Sequence, residues 1–231
     1  MKAITALSLA MACPALAHAA RPLVTDDARL TTPGSCQLEA WTRQTPHSTE
    51  WWAMPACNPW GSVEITAGGG IARPDGLPRT HDTILQLKTL WREVEPNGWG
   101  VGLAIGTVQH PSIHPGPNQL GNDYAYIPIS VSFDDDQLVM HANVGHLRDR
   151  ASKQRSTTWG LGGEARLHDR VHGVAEVFGD HRTRPYIQAG VRWSLLPDRI
   201  QIDATTGRQL NGPHDSRWFS LGIRVTPREL F

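Results

Sequence analysis

The sequence has no long apolar run after its first 19 residues and no excess of charge of either sign. Without a run of roughly 18 apolar residues, the rest of the chain is not expected to contain a membrane helix. Lys and Arg number 22, as do Asp and Glu, which argues against a nucleic-acid partner because such partners need a basic surface. Helix formers are sparse, whereas glycine, proline and tryptophan are plentiful. This composition favours an all-β protein.

The first 19 residues have the parts of a secretory signal peptide. Lys2 gives a positive start, residues 3–16 form a short apolar run, and residues 17–19 read Ala-His-Ala. We therefore predict a signal peptide that is cut before Ala20. A lipoprotein signal that uses Cys13 is the alternative.

Cysteine is scarce, and removal of the signal peptide leaves only Cys36 and Cys57. In an oxidising compartment an even pair predicts a disulfide. Two unpaired buried thiols are the alternative. A metal site is disfavoured, because two cysteines without a nearby histidine pattern do not complete a tetrahedral shell.

From Cys36 onward the chain divides into about twelve segments with the length and turn spacing of barrel strands. Side chains alternate within them, as where Ile187 and Val191 alternate with Gln188 and Arg192. We predict an all-β fold, a single antiparallel up-and-down transmembrane β-barrel over residues 36–231. The predicted strands are 36–44, 49–57, 61–72, 82–94, 98–109, 122–133, 137–147, 156–167, 171–180, 185–195, 199–206 and 216–226.

A soluble periplasmic β-sandwich would show the same alternation, so the loop lengths and the tryptophan positions are needed to distinguish it from a membrane barrel. The predicted loops alternate short and long through the middle of the chain, as in barrels with short periplasmic turns and longer extracellular loops. Tryptophans near predicted strand ends suit the aromatic girdles of membrane barrels. These are Trp51, Trp52, Trp60, Trp91, Trp99, Trp159, Trp193 and Trp218. Both features favour the barrel, and the sandwich remains the alternative.

The polar face of the predicted strands is expected to line the lumen, with charges of both signs that can pair across strands. The predicted lumen-lining residues are Lys88, Arg92, Tyr124, Tyr126, His141, Glu164, Arg166, Glu176, Arg192, Asp203 and Arg224. A barrel of about twelve strands is intermediate in diameter between eight-stranded barrels, which side chains fill, and larger porins, which hold a water-filled channel. Any path through this barrel should therefore admit only small molecules.

The mature N-terminus carries a family resemblance. Residues 20–28 read Ala-Arg-Pro-Leu-Val-Thr-Asp-Asp-Ala, and residues 36–40 read Cys-Gln-Leu-Glu-Ala. Together they resemble a family of bacterial outer-membrane β-barrels named for the meta-cleavage pathway of phenol degradation and labelled as transporters. The motif residues are Arg21, Pro22, Thr25, Asp26 and Asp27. The resemblance implies an outer-membrane barrel that passes small organic or aromatic compounds.

Residues 20–35 are too polar for a membrane strand. We expect a periplasmic segment that partly plugs the barrel, with Asp26 and Asp27 meeting Arg92, Arg166 or Arg192. A loose periplasmic tail is the alternative.

Catalysis is not expected. Ser130 and Ser132 share the polar face with His141, which suits a barrel lipid hydrolase, but Gly-x-Ser-x-Gly is absent. The sequence predicts an outer-membrane channel for small hydrophobic or aromatic compounds, without cofactor or metal. A non-conducting barrel whose loops bind a ligand is the other alternative. The expected partners are outer-membrane lipid, the barrel-assembly machinery and a small organic solute.

Overall fold

The computed structural model describes residues 21–109, 123–150, 152–197 and 199–227. Within these ranges the chain forms twelve strands and one three-residue 3-10 turn, His214–Ser216. No helix in this part of the chain has the length and apolar character needed to cross a membrane. The strands are β1 (Ser35–Gln44), β2 (Ser48–Asn58), β3 (Val63–Pro74), β4 (Thr80–Arg92), β5 (Trp99–Gln109), β6 (Asp123–Phe133), β7 (Leu138–Arg148), β8 (Arg155–His168), β9 (Val171–Asp180), β10 (Tyr186–Leu196), β11 (Ile200–Gln209) and β12 (Trp218–Val225).

Each strand pairs antiparallel with its sequence neighbours, and β12 pairs with β1 to close the ring. The closing register sets Leu38 opposite Val225 and Gln44 opposite Phe219. A closed ring leaves no strand edge with unpaired backbone groups, which a sheet in hydrocarbon requires. The predicted all-β, antiparallel up-and-down barrel is therefore confirmed, and the β-sandwich alternative is wrong. The predicted signal peptide, residues 1–19, lies outside the described residues.

The barrel has two different ends. At one end, which we call the short-turn end, the connections are residues 59–62, 93–98, 134–137, 169–170 and 197–199. At the other, the long-loop end, they are residues 45–47, 75–79, 110–122, 149–154, 181–185 and 210–217. Short connections at one end and longer connections at the other are expected of outer-membrane barrels.

The two faces of the wall differ sharply in polarity. Val191 is 46% exposed on the outer surface, whereas the next residue, Arg192, is 3% exposed inside the barrel. Exposed apolar side chains continue around the ring, which is far more apolar surface than a soluble monomer presents. They include Leu85, Leu87, Ile105, Ile127, Ile129, Val144, Leu161, Ile187, Leu221 and Ile223.

Arg92 departs from the predicted alternation. A register shift between Leu90 and Arg92 on the β4–β5 ladder sets Arg92 opposite Val101, which lies on the outer face. The side chain is exposed, and its guanidinium carbon lies 4.4 Å from the ring centroid of Trp99. The prediction that Arg92 lines the lumen is therefore wrong, because a bulge reverses the facing of the residues beyond it.

The tryptophans also divide between the faces. Trp52 and Trp218 point inward, so they do not belong to an outer girdle. The exposed tryptophans are Trp51, Trp60, Trp91, Trp99 and Trp193.

The predicted disulfide between Cys36 and Cys57 is present. The two residues lie directly opposite each other on β1 and β2, with a Cα–Cα distance of 4.0 Å. The bond therefore links the first two strands at the short-turn end.

Replacing both Cys36 and Cys57 with serine should lower the free energy of unfolding by about 3 kcal/mol, because the bond closes a loop with a sequence separation of 21 residues. Urea unfolding of the detergent-solubilised barrel measures this change. Wild type with reductant is the matched control and should unfold at the same midpoint as the variant. Equal midpoints for oxidised wild type and the variant would contradict the prediction.

Candidate functional site

Residues 21–34, which we call the inner segment, lie inside the barrel. The segment enters at the short-turn end, where Gly34 donates its N–H to the Asn58 carbonyl at 2.9 Å. Asn58 Nδ2 in turn donates to the Thr31 carbonyl at 2.7 Å. Farther in, Thr25 and Ala28 are fully buried. The segment is packed against the wall and is not a loose tail.

Side chains of the wall accept the backbone N–H groups of the inner segment. Both carboxylate oxygens of Glu176 are used: Oε1 accepts from Val24 and Oε2 from Thr25, each at 2.7 Å. Glu64 Oε2 accepts from the N–H and hydroxyl of Thr31 at 2.7 and 2.6 Å. Buried backbone N–H groups outside a ladder need such partners. The carboxylates therefore fix the path of the segment through the lumen.

Ion pairs hold the middle of the inner segment. Lys88 Nζ lies 2.8 Å from Asp26 Oδ1 and 3.4 Å from Asp27 Oδ1. Arg29 approaches Glu164 at 3.4 Å. Asp26 and Asp27 therefore make their basic wall contact with Lys88, rather than with Arg92, Arg166 or Arg192 as the sequence suggested.

The start of the inner segment is bound by several wall residues. Arg21 Nη2 lies 2.8 Å from Asp203 Oδ1, and Arg192 donates to the Arg21 carbonyl. Gln188 Nε2 donates to the Pro22 carbonyl at 2.9 Å. Burial lowers the pKa of the Arg21 guanidinium, and the charge of Asp203 opposes this shift. Arg21 also lies over the Trp41 ring, 4.4 Å from its centroid.

Glycines of the wall leave room for the inner segment. A Cβ atom added to Gly160 would lie 2.4 Å from Thr25 Oγ1, and one added to Gly222 would lie 2.4 Å from Arg21 Nη2. Both separations are shorter than real side chains tolerate. Gly160 is therefore needed for the close approach of the segment, whereas the atom nearest to Gly222 is the end of a flexible arginine side chain, which can move.

Most residues assigned to the lumen from the sequence lie on the inner face. Tyr126 donates its hydroxyl to Asp26 Oδ2 at 2.7 Å. Arg166 is half-buried and donates to the Asp135 carbonyl at the rim of the short-turn end. The others are buried: Lys88, Tyr124, His141, Glu164, Glu176, Arg192, Asp203 and Arg224. Among the described residues, no group of three or more His, Cys, Asp or Glu side chains is arranged to hold a metal ion.

Ser130, His141 and Glu164 form a chain of contacts inside the wall. Ser130 Oγ lies 2.8 Å from His141 Nδ1, and His141 Nε2 lies 3.5 Å from Glu164 Oε1. Ser130 is completely buried, and its oxygen accepts the Ala28 N–H at 2.8 Å. Glu164 is also paired with Arg192. The arrangement binds the inner segment and leaves the serine oxygen covered.

A cavity of about 230 Å³ remains beside the inner segment, and its lining reaches from Gln37 and Glu64 in the short-turn half of the barrel to Trp52 and Trp218 towards the long-loop end. Its walls are rich in aromatic side chains, of which Trp41 and Trp52 are stacked with centroids 5.6 Å apart. These two residues and Trp218 were not among the residues predicted to line the lumen. The alternation along their strands, which sets all three tryptophans on the inner face, was the sequence signal that could have identified them. The main aromatic lining residues are Trp41, Trp52, Tyr124, Tyr126 and Trp218.

The polar atoms of these aromatic residues are used within the protein. Trp52 Nε1 donates to Glu50 at 2.9 Å, and Trp218 Nε1 donates to Gln188 at 3.3 Å. The Tyr124 hydroxyl donates to Gln86 at 2.8 Å. The rings therefore offer mainly their apolar faces to the cavity.

The fold and the polar, occupied lumen define a porin-like β-barrel. The KdgM porin shares the fold with a TM-score of 0.62 at 9% identity, over 82% of this chain and 98% of that one. The NanC porin shares the fold with a TM-score of 0.59 at 8% identity, over 82% of this chain and 98% of that one. The COG4313 outer membrane channel from Pseudomonas putida F1 shares the fold with a TM-score of 0.60 at 8% identity, over 87% of this chain and 98% of that one.

The chain belongs to the family described as uncharacterised conserved protein UCP029691, whose model matches residues 6–226. No curated protein matches the sequence. The phenol-degradation resemblance stays a prediction.

Replacing Glu176 with glutamine should loosen the inner segment, because an amide cannot accept both the Val24 and Thr25 N–H groups on equivalent charged oxygens. A hydrogen bond to a charged group contributes about 1.5–3 kcal/mol, so trypsin should cut after Arg29 about tenfold faster or more in the folded barrel. Mass spectrometry of the timed digest measures the rate.

Gln201→Ala is the matched control, because Gln201 is buried in the wall and makes no hydrogen bond to the inner segment. It should leave the cleavage rate unchanged. Equal rates for Glu176→Gln and wild type would show that the carboxylate does not anchor the segment.

Proposed function

We propose that this protein is an outer-membrane channel for small hydrophobic or aromatic compounds, and that the inner segment closes it in the state described here. The observation that carries the proposal is the cavity beside the inner segment, which aromatic rings line towards the long-loop end. A solute entering from that end meets the rings of Trp41, Trp52 and Trp218. The cavity is then the first binding site on the route.

The membrane location has two supports. The apolar outer surface needs an apolar surrounding, and the closed ring leaves no unpaired edge. One solved barrel with the same fold is described as an outer membrane channel. In this proposal residues 1–19 direct secretion, the barrel-assembly machinery inserts the chain, and the long-loop end faces the exterior of a Gram-negative cell.

The cavity favours an uncharged aromatic solute over an acidic sugar. A KdgM porin structure is described as a complex with oligogalacturonate, and such a ligand calls for cations that are free to bind carboxylates. Here the cations at the cavity are paired. Arg43 lies 2.6 Å from Glu50, and Lys88 and Arg21 pair with Asp26 and Asp203. The rest of the lining combines aliphatic, uncharged polar and aromatic side chains, and the faces of Trp41, Trp52 and Trp218 suit stacking with an apolar ring.

Passage requires the inner segment to move. Its contacts with the wall are hydrogen bonds and ion pairs, so displacement of the segment breaks no covalent bond. A catalytic role is not proposed. The inner segment covers the Ser130 oxygen, and Glu164, the carboxylate next to His141, is paired with Arg192 and Arg29.

Toluene should bind the detergent-solubilised barrel, and Trp52→Leu should weaken its binding about threefold to tenfold, because an aromatic pair contributes about 0.5–1.5 kcal/mol. Isothermal titration calorimetry measures the affinity. Trp60→Leu is the matched control, since Trp60 is 71% exposed in a turn and does not line the cavity.

Galacturonate serves as the comparison ligand, and binding tighter than that of toluene would contradict the proposed solute class. Planar-bilayer conductance separates a channel from the non-conducting alternative. Deletion of residues 21–34 should raise the conductance above that of the full chain. An intact barrel that conducts no better after the deletion would favour the non-conducting barrel.

A further inference from the structure

Two arginines lie side by side on the outer wall at the long-loop end. Arg148 ends β7 and Arg155 begins β8, and the two residues are directly opposite each other in the ladder. Both are exposed, and neither makes an ion pair with another residue in the described part of the chain. Like charges directly opposite on neighbouring strands are destabilising. The pair therefore calls for an anion from outside the chain.

The charges around this pair leave it positive. His146, two residues before Arg148, is exposed on the same outer face. Asp123 lies opposite Arg148 in the β6–β7 ladder, but Arg150 donates to its carboxylate, with Nε 3.1 Å from Oδ2. Arg150 thus takes up much of the nearby negative charge. Three guanidinium groups lie near two carboxylates at this place on the wall, and the second carboxylate, Asp149, also accepts hydrogen bonds from Ser152.

An apolar groove continues from the arginines. It has a volume of about 530 Å³ and runs from Arg148 and Arg155 at the rim towards Leu85, Leu87 and Ile105. These three side chains are 51%, 42% and 46% exposed. A groove with cations at the rim and aliphatic side chains deeper in the wall matches a ligand with an anionic head and a hydrocarbon tail.

We propose that this groove is a binding site for a phosphorylated lipid of the outer leaflet. Arg148 and Arg155 bind the phosphate of the headgroup, and an acyl chain lies against Leu85, Leu87 and Ile105. The planar guanidinium presents paired donors that suit phosphate oxygens. The inference rests on the proposed membrane location, because that location sets the long-loop end at the level of the outer headgroups.

The test uses native mass spectrometry of the full chain with bisphosphorylated lipid A as the probe. The double variant Arg148→Gln, Arg155→Gln should retain about tenfold less lipid than wild type or lower, since it removes both guanidinium groups that bind the phosphate. The matched control is Arg73→Gln, Arg208→Gln, which removes two exposed arginines elsewhere near the same end. That control should bind like wild type.

Three comparisons complete the test. Lipid A without phosphates should bind weakly, and inorganic phosphate should not displace the lipid. Equal retention by wild type and the double variant, equal binding of the dephosphorylated lipid, or displacement by inorganic phosphate would each overturn the proposal. Heat-modifiable gel mobility is recorded for every variant. A wild-type chain that forms no heat-modifiable barrel in bilayers would contradict the membrane location, whereas a normal barrel without lipid preference would overturn only the lipid site.

Discussion

The pairing between the inner segment and the charged wall is the constraint on which the rest of the structure depends. The wall carries buried carboxylates and cations that are expensive to leave without partners inside a barrel. Glu176 and Glu64 bind backbone N–H groups of the segment, and Lys88 binds its two aspartates. Each of these wall side chains therefore has a polar or charged partner in the inner segment. Removal of the segment would leave several buried charges without those partners at once.

This pairing also explains the cross-section of the barrel. Twelve strands enclose more space than side chains alone fill. The inner segment fills the middle of that space, and Gly160 allows it to approach the wall closely. Beside it the lumen stays open as the cavity that aromatic rings partly line. The closed and the open parts of the lumen thus follow from the path of one short stretch of chain.

Much of the fold could be predicted from the sequence because side-chain alternation in a strand is local. The period-2 pattern located the strands within a few residues, and the even pair of cysteines predicted the bond between Cys36 and Cys57. Arg92 was misassigned because a bulge depends on how two strands pair, which one strand's pattern does not contain. The contact of Asp26 with Lys88 was also missed. It depends on the path of the inner segment in three dimensions.

Cross-linking of the inner segment to the wall tests the central claim most directly. A Cβ at Gly160 would lie 3.3 Å from Thr25 Cβ, close to the separation of about 3.5–4.5 Å in disulfides. Thr25→Cys with Gly160→Cys, in a chain with Cys36 and Cys57 replaced by serine, should form a disulfide in intact outer membranes. Mass spectrometry of the digested protein identifies the bond. A folded barrel with no cross-link, in which the cysteine at position 25 reacts with a membrane-impermeant thiol reagent, would contradict the account.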